Sequence, residues 1–186
     1  MNRTHLSIAR MLTWTLVGFS LNACSSYKQA GGADPDRLLD QEAAGVVKLF
    51  KRTDPGLQRF FDSATGYVVF PNVTKGAAGV GAAHGRGVVY EAGQPIGYAN
   101  LTQGTIGLQL GGQTYSELVF FQTTRDLTIF KRGETKLSAQ ASAVAASKGA
   151  AANADYAHGV AIFTLGQSGL MFEASVGGQK FTYQPK

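Results

Sequence analysis

The spacing of apolar residues along this chain changes near Thr65, from a period close to four to a period of two. Before that point Leu38, Leu39, Ala43, Val46, Val47 and Phe50 gather on one side of a helical projection. Arg37, Gln41, Lys48, Lys51 and Arg52 fall on the opposite side. Such a stripe predicts an amphipathic helix. Asp34-Pro35 supplies its start, a side-chain acceptor for the N-cap followed by a proline whose fixed φ suits the first helical position. Asp54-Pro55 repeats the signal, and Leu57, Phe60, Phe61 and Ala64 keep the helical spacing, so a second, short helix is expected.

Beyond Thr65 strands are expected. Tyr67 to Phe70 reads as a short strand stopped at Pro71, followed by strands near 77–83, 86–91, 96–101, 104–110 and 113–121. Ile106, Leu108 and Leu110 alternate with Thr105, Gly107 and Gln109, which predicts a half-buried strand. Gly111-Gly112, between two alternating runs, reads as a two-residue hairpin turn. Thr124 is the expected cap of a short helix carrying Leu127 and Phe130, with Lys131 and Arg132 near its C-terminus and Gly133 ending it. Residues 137–146 read as a strand of small side chains and 147–157 as a loop. A last meander is expected at 159–165, 169–176 and 180–184, with turns at 166–169 and at Gly177-Gly178. Leu170, Phe172, Ala174 and Val176 give its middle strand a continuous apolar face.

Glycine adds a constraint to this pattern. It is dense from Gly76 to Gly112, and glycine inside strands marks bends, bulges or close backbone approach. The fold class expected is therefore α+β: a curved, barrel-like antiparallel sheet, two N-terminal helices and one short mid-chain helix. Gly79, Gly81 and Gly85 mimic a phosphate-loop spacing, but Val88, Val89 and Tyr90 continue as strand where such a loop needs a helix.

The N-terminus reads as an export signal. Arg3 and Arg10 form a basic region, and Met11 to Leu21 a mostly apolar core shorter than the roughly 20 residues of a membrane-spanning helix. It closes on Leu21-Asn22-Ala23-Cys24, which resembles the bacterial lipobox. That resemblance implies cleavage before Cys24, the only cysteine, and lipidation there. Acyl chains contribute about 0.8 kcal/mol per buried CH₂, so several together anchor durably. The domains expected are 1–23 as signal peptide, 24–33 as acylated terminus and tether, and 34–186 as the folded unit. Ser25 after the cysteine resembles an outer-membrane sorting signal, which implies a lipid-anchored place in the bacterial envelope, facing the periplasm.

Charge limits the partners. The full chain carries a net +5, and loss of Arg3 and Arg10 with the signal lowers it by two. This excess is too mild to point to nucleic acid, yet it permits attraction to anionic lipid where basic residues cluster. Lys75, Arg86, Arg125, Lys131 and Arg132, read as lying at turn edges or a helix end, are candidate headgroup ligands, and so are Lys48, Lys51 and Arg52 on the first helix. No catalytic constellation is evident. His84 and His158 lack paired-ligand partners, Gly166-Gln167-Ser168-Gly169 lacks the spacing of a nucleophile elbow, and Asp126, Glu134 and Asp155 form no evident acid–base pair. No metal and no cofactor are expected.

The glycine run carries one further likeness. Tyr67-Val68-Val69-Phe70-Pro71-Asn72-Val73, Lys75-Gly76, Gly79-Val80-Gly81, Gly85-Arg86-Gly87-Val88, Gly97-Tyr98 and 104–113 resemble the signature of the SYLF domain family, with the likeness covering about 34–184. Eukaryotic members bind phosphoinositides, yeast members also bind actin filaments, and bacterial members are commonly exported lipoproteins. The resemblance implies a non-enzymatic, phospholipid-binding domain with helices and a compact sheet. It offers no catalytic residues, its motif basic residues match at Lys75 and Arg86, and actin has no counterpart in the periplasm. The function expected is anionic-phospholipid binding in membrane association or envelope organisation. The alternative is a structural lipoprotein that binds another envelope protein.

Overall fold

The computed structural model describes residues 34–137 and 144–186. The signal segment, Cys24 and the tether lie outside these residues, as does most of the strand expected at 137–146.

The first helix, α1 (Pro35–Thr53), begins where its sequence signals place it, with the Asp34 carboxylate accepting from the Asp36 N–H. Leu39, Ala43 and Phe50 are buried, and Val46 and Val47 pack beside them. Most of the apolar stripe therefore packs on the domain, while Leu38 at its start stays exposed. Asp54 ends α1 and starts a 3₁₀ turn (Pro55–Leu57) that runs into α2 (Gln58–Ser63). Its carboxylate accepts from the N–H groups of Gly56, Gly149 and Ala151, tying this corner to the 3₁₀ turn Ala150–Asn153. Burial pushes the Asp54 carboxyl up, but these three donors outweigh it and hold it below the ordinary carboxylate range.

The sheet departs from the expected series of short strands. Three continuous strands form it: β1 (Gly66–Glu91), β2 (Gln94–Phe121) and β5 (Val160–Pro185). They pair antiparallel along almost their whole length, with β2 in the centre. Pro71 does not stop β1, because a bulge between Phe70 and Val73 absorbs it. Gly111-Gly112 is not a turn. Gly112 pairs with Gly76 and Gly111 with Ala77, and the turn is at Ala92-Gly93. The meander expected at 159–184 is one strand, with Gly177 and Gly178 paired to Thr105 and Gly104 and Gly166 to Tyr115. Two short strands, β3 (Lys136–Leu137) and β4 (Val144–Ala145), pair with β5 at 179–180 and 163–164. The short helix α3 (Thr124–Lys131) is capped by Thr123, one residue before the expected cap, because the Asp126 side chain bonds back to it as a capping box.

Strands this long cannot stay flat around a core. Each doubles back at its middle, so the sheet has two legs. Gly87 marks their closest approach, where a Cβ would sit 2.5 Å from the Val69 carbonyl oxygen and 2.7 Å from the Phe70 ring. Between the legs lie Val68, Phe70, Leu101, Val119, Phe121 and Phe181, closed off by Leu127 and Phe130 of α3. The opposite face carries Val69, Val88, Tyr90, Leu118, Phe120 and Phe163, covered by α1, α2 and Ala151. The class is α+β with a curved antiparallel sheet, as expected, with one added parallel pairing at β4, and the sheet does not close into a barrel.

Candidate functional site

The line along which the sheet doubles back is the part of the domain that breaks the usual pattern. There Val80, Ile106, Leu108 and Leu110 are exposed at 68%, 73%, 72% and 69%. Register places Val80 opposite Ile106, and Ala78 opposite Leu110. Across the central strand, Ile106, Leu108 and Leu110 pair with Val176, Ala174 and Phe172. Directly opposed residues share a face of a sheet. The two alternating apolar runs of the sequence, at 106–110 and 170–176, therefore meet rung by rung. Val80, Ile106, Leu108 and Leu110 form an exposed apolar roof along this line. The bend is built by Gly79, whose φ of 82° suits glycine, at a register shift between Ala78 and Val80.

The underside of the roof is polar. Lys75 is 5% exposed, and Thr105 and Glu117 are also buried there, while Ser116, next to Glu117 in the strand and so on the other face, is buried too. The Ser116 hydroxyl donates to the Pro71 carbonyl (2.7 Å), and Gln167 Nε2 lies 2.7 Å from that carbonyl and 2.6 Å from the Ser116 oxygen. Gln179 donates across the legs to Glu117 Oε2 at 2.9 Å. Burial pushes the Glu117 carboxyl up to about 7, against the lowering effect of that hydrogen bond. Glu117 Oε1 and Gln179 Oε1 are buried without a hydrogen-bond partner.

The basic candidates do not converge. Lys75 points inward from mid-strand rather than outward from a turn. Arg86 is exposed on β1 and pairs with Asp36 of α1 at 2.9 Å. Lys131 pairs with Glu91 at 2.6 Å, Arg132 ends α3, and Arg125 is exposed in the first turn of that helix. Lys48 and Arg52 are exposed on α1, and the Lys51 amine lies 4.2 Å from the centre of the Phe61 ring. They are spread over three elements. The roof was legible only in halves. Each apolar run was visible in the sequence, but their adjacency and exposure depend on a register that continuous strands set.

Among the described residues no cluster of three or more His, Cys, Asp or Glu side chains is placed to hold a metal ion. Asp126 is committed to the α3 cap. His84 is exposed on β1 and His158 beyond the body's 3₁₀ turn.

Comparison with known proteins agrees with the glycine signature. Residues 102–185 match the SYLF-domain family model described as Ysc84, Las17-binding protein actin regulator. The matched stretch holds most of β2 and all of α3 and β5, and so two of the three strands that cross the roof. The chain is also similar to Beta cell expansion factor A of Aeromonas veronii, at 25% identity over 138 residues. That alignment takes in 73% of this chain and 52% of the relative, so the chain spans about half the length of the protein it matches.

Proposed function

With residues 102–185 matched to the SYLF family of binding domains, we propose that this protein is a non-catalytic lipid-binding lipoprotein. It is tethered through Cys24 to the bacterial envelope and adsorbs to anionic phospholipid by its roof. The observation that carries the reading is the exposed row Val80, Ile106, Leu108 and Leu110, on a sheet with polar residues beneath it. Apolar outside and polar inside is the order of strands that face lipid, and the reverse of a soluble core. Full burial of such side chains contributes about 1.5–3 kcal/mol each, so the four together supply roughly 4–8 kcal/mol at their exposures. That is a weak, reversible attachment alone and a useful second contact beside a covalent anchor. The same conversion gives these four side chains roughly 200–300 Å², well short of the ~800 Å² per partner of a stable protein interface. The roof therefore fits a bilayer better than a protein partner. A place at the outer membrane, facing the periplasm, follows from the lipobox and from Ser25 after the cysteine.

The test is sedimentation of the full-length chain with anionic and with zwitterionic vesicles, at low and high salt. Co-sedimentation that is stronger with anionic vesicles and weaker in salt is expected. A protein that stays in the supernatant with every vesicle would sink the proposal.

A further inference from the structure

Below the roof, on its outer face, the second leg of the sheet carries a rung that the apolar pattern does not reveal. His84 of β1 is paired with Thr102 of β2, and Thr102 with Lys180 of β5. All three are exposed. The Thr102 hydroxyl donates to the Lys180 carbonyl at 3.4 Å, which commits its one proton and leaves His84 and Lys180 as the donors of the rung. One pair of residues further from the roof, Arg86 is opposite Asn100, and Asn100 donates to the Thr182 hydroxyl at 3.3 Å. Between this rung and the roof lie only Ala82, Gly104 and Gly178, which are paired with one another and cover nothing. Every titratable side chain at these outward positions of the leg is basic: His84, Lys180 and Arg86. Of the α1 acids beside this leg, Asp36 is paired with Arg86 and Asp40 with Lys186.

Spacing adds a second argument. The last apolar rung is Val80, Ile106 and Val176, and the rung of His84, Thr102 and Lys180 lies four residues along each strand from it. At about 3.3 Å per residue that is roughly 13 Å. Half the hydrocarbon thickness of a bilayer is about 15 Å. A leg standing on its roof in one leaflet thus brings these donors to the depth of the lipid phosphates. The first leg differs at the same distance. Four residues from Ala78, Leu110 and Phe172 its rung is Thr74, Thr114 and Ser168, which carries hydroxyls and no charge. The domain is electrostatically one-sided about its roof.

We propose that His84 and Lys180, on either side of Thr102, form the site that takes the phosphate of a lipid headgroup when the roof enters the chains of the same leaflet. This rests on the lipid reading of the roof and adds the place where the headgroup is held. An ammonium and an imidazole on either side of Thr102 supply a charge and directional donors to phosphate oxygens, which is what a phosphomonoester or phosphodiester requires.

The experiment uses the full-length chain and two kinds of vesicle, phosphatidylglycerol and a phosphate-free galactolipid, with inorganic phosphate as a competitor in a third arm. Lys180→Gln with His84→Gln is expected to weaken partition onto phosphatidylglycerol about fivefold to tenfold, given how much each basic group near an anionic surface contributes. Partition onto galactolipid should stay as in the unaltered chain, and inorganic phosphate should compete poorly, because a lipid phosphate is held by the roof as well. Leu108→Ser is expected to weaken partition onto both vesicles. Unchanged binding of the double variant to phosphatidylglycerol overturns the headgroup site and leaves the roof standing. Unchanged binding of Leu108→Ser overturns the roof. Full displacement by inorganic phosphate would make the rung a site for the free ion and overturn its assignment to lipid.

Discussion

The body and the roof are made from the same three strands, yet they bury opposite faces. In the body both faces of the sheet are apolar, one filled by Phe70, Phe121 and Phe181 between the legs, the other covered by α1 and α2. At the roof the inner face turns polar, with Lys75, Thr105 and Glu117 buried, and the outer face stays apolar with nothing described above it. Leu118 and Leu108 show the contrast on one strand: the first is 0% exposed and the second 72%. Folding in water explains Leu118, because burying its apolar surface is what stabilises the body. It does not explain Leu108, whose placement gains nothing until another apolar phase is present. The difference separates residues kept for the fold from residues held out for a surface.

That contrast can be broken most directly by one pair of substitutions. Leu118→Ala should cost about 2–5 kcal/mol in urea unfolding, as for other fully buried leucines. An effect under 1 kcal/mol would mean that the body is packed far more loosely than its rings suggest. The next largest effect is at the polar underside. A carboxyl raised to about 7 keeps its proton in the fold while the unfolded chain, with ordinary glutamates, loses it from about pH 4.5. Stability therefore falls as pH rises between those values and is level above them. Glu117→Gln, which cannot ionise, should be more stable than the parent by roughly 3 kcal/mol at pH 8.5, with the gap closing by pH 4.5. A gap that does not change with pH would show that Glu117 is an ordinary carboxylate.

Asp54 runs the other way. Its carboxyl is lowered in the fold, so the stability it contributes is present above the ordinary value of 3.8 and is lost as pH falls through the lower folded value. Asp54→Ala should cost about 2 kcal/mol at pH 7, the scale of hydrogen bonds to a charged group, and less in strong acid. Equal destabilisation at pH 7 and pH 2.5 would remove the charge from that account. The smallest effect sharpens the comparison most. Leu108→Ala should change stability by under about 0.5 kcal/mol, as exposed positions do, while lowering vesicle partition. A loss like that of Leu118→Ala would place Leu108 in a packed core and dissolve the distinction between roof and body.

Some of this was open to reading from the residues. The caps at Asp34 and Asp54, the stripe of α1, the short α2, the helix ending at Gly133 and the alternation of every strand follow from local spacing. So do the apolar faces at 106–110 and 170–176, and the SYLF likeness that the match at 102–185 supports. The breaks between strands did not follow. Gly111-Gly112, Gly177-Gly178 and Pro71 have the residue types of turns and stops, but antiparallel partners pair straight through them. Lys75 was read as an outward charge, and a bulge that shifts the face of β1 after Phe70 points it inward.

Which residues alternate, where helices start and that the sheet must bend can be read locally, because these depend on neighbours within a few positions. Only the tertiary structure decided that 106–110 and 170–176 lie side by side, that α1 covers one stretch of the sheet and leaves the next bare, and that His84, Thr102 and Lys180 share a rung. Register between strands 20 to 80 residues apart is set by how whole legs pack around the aromatic core, and no local pattern holds that information.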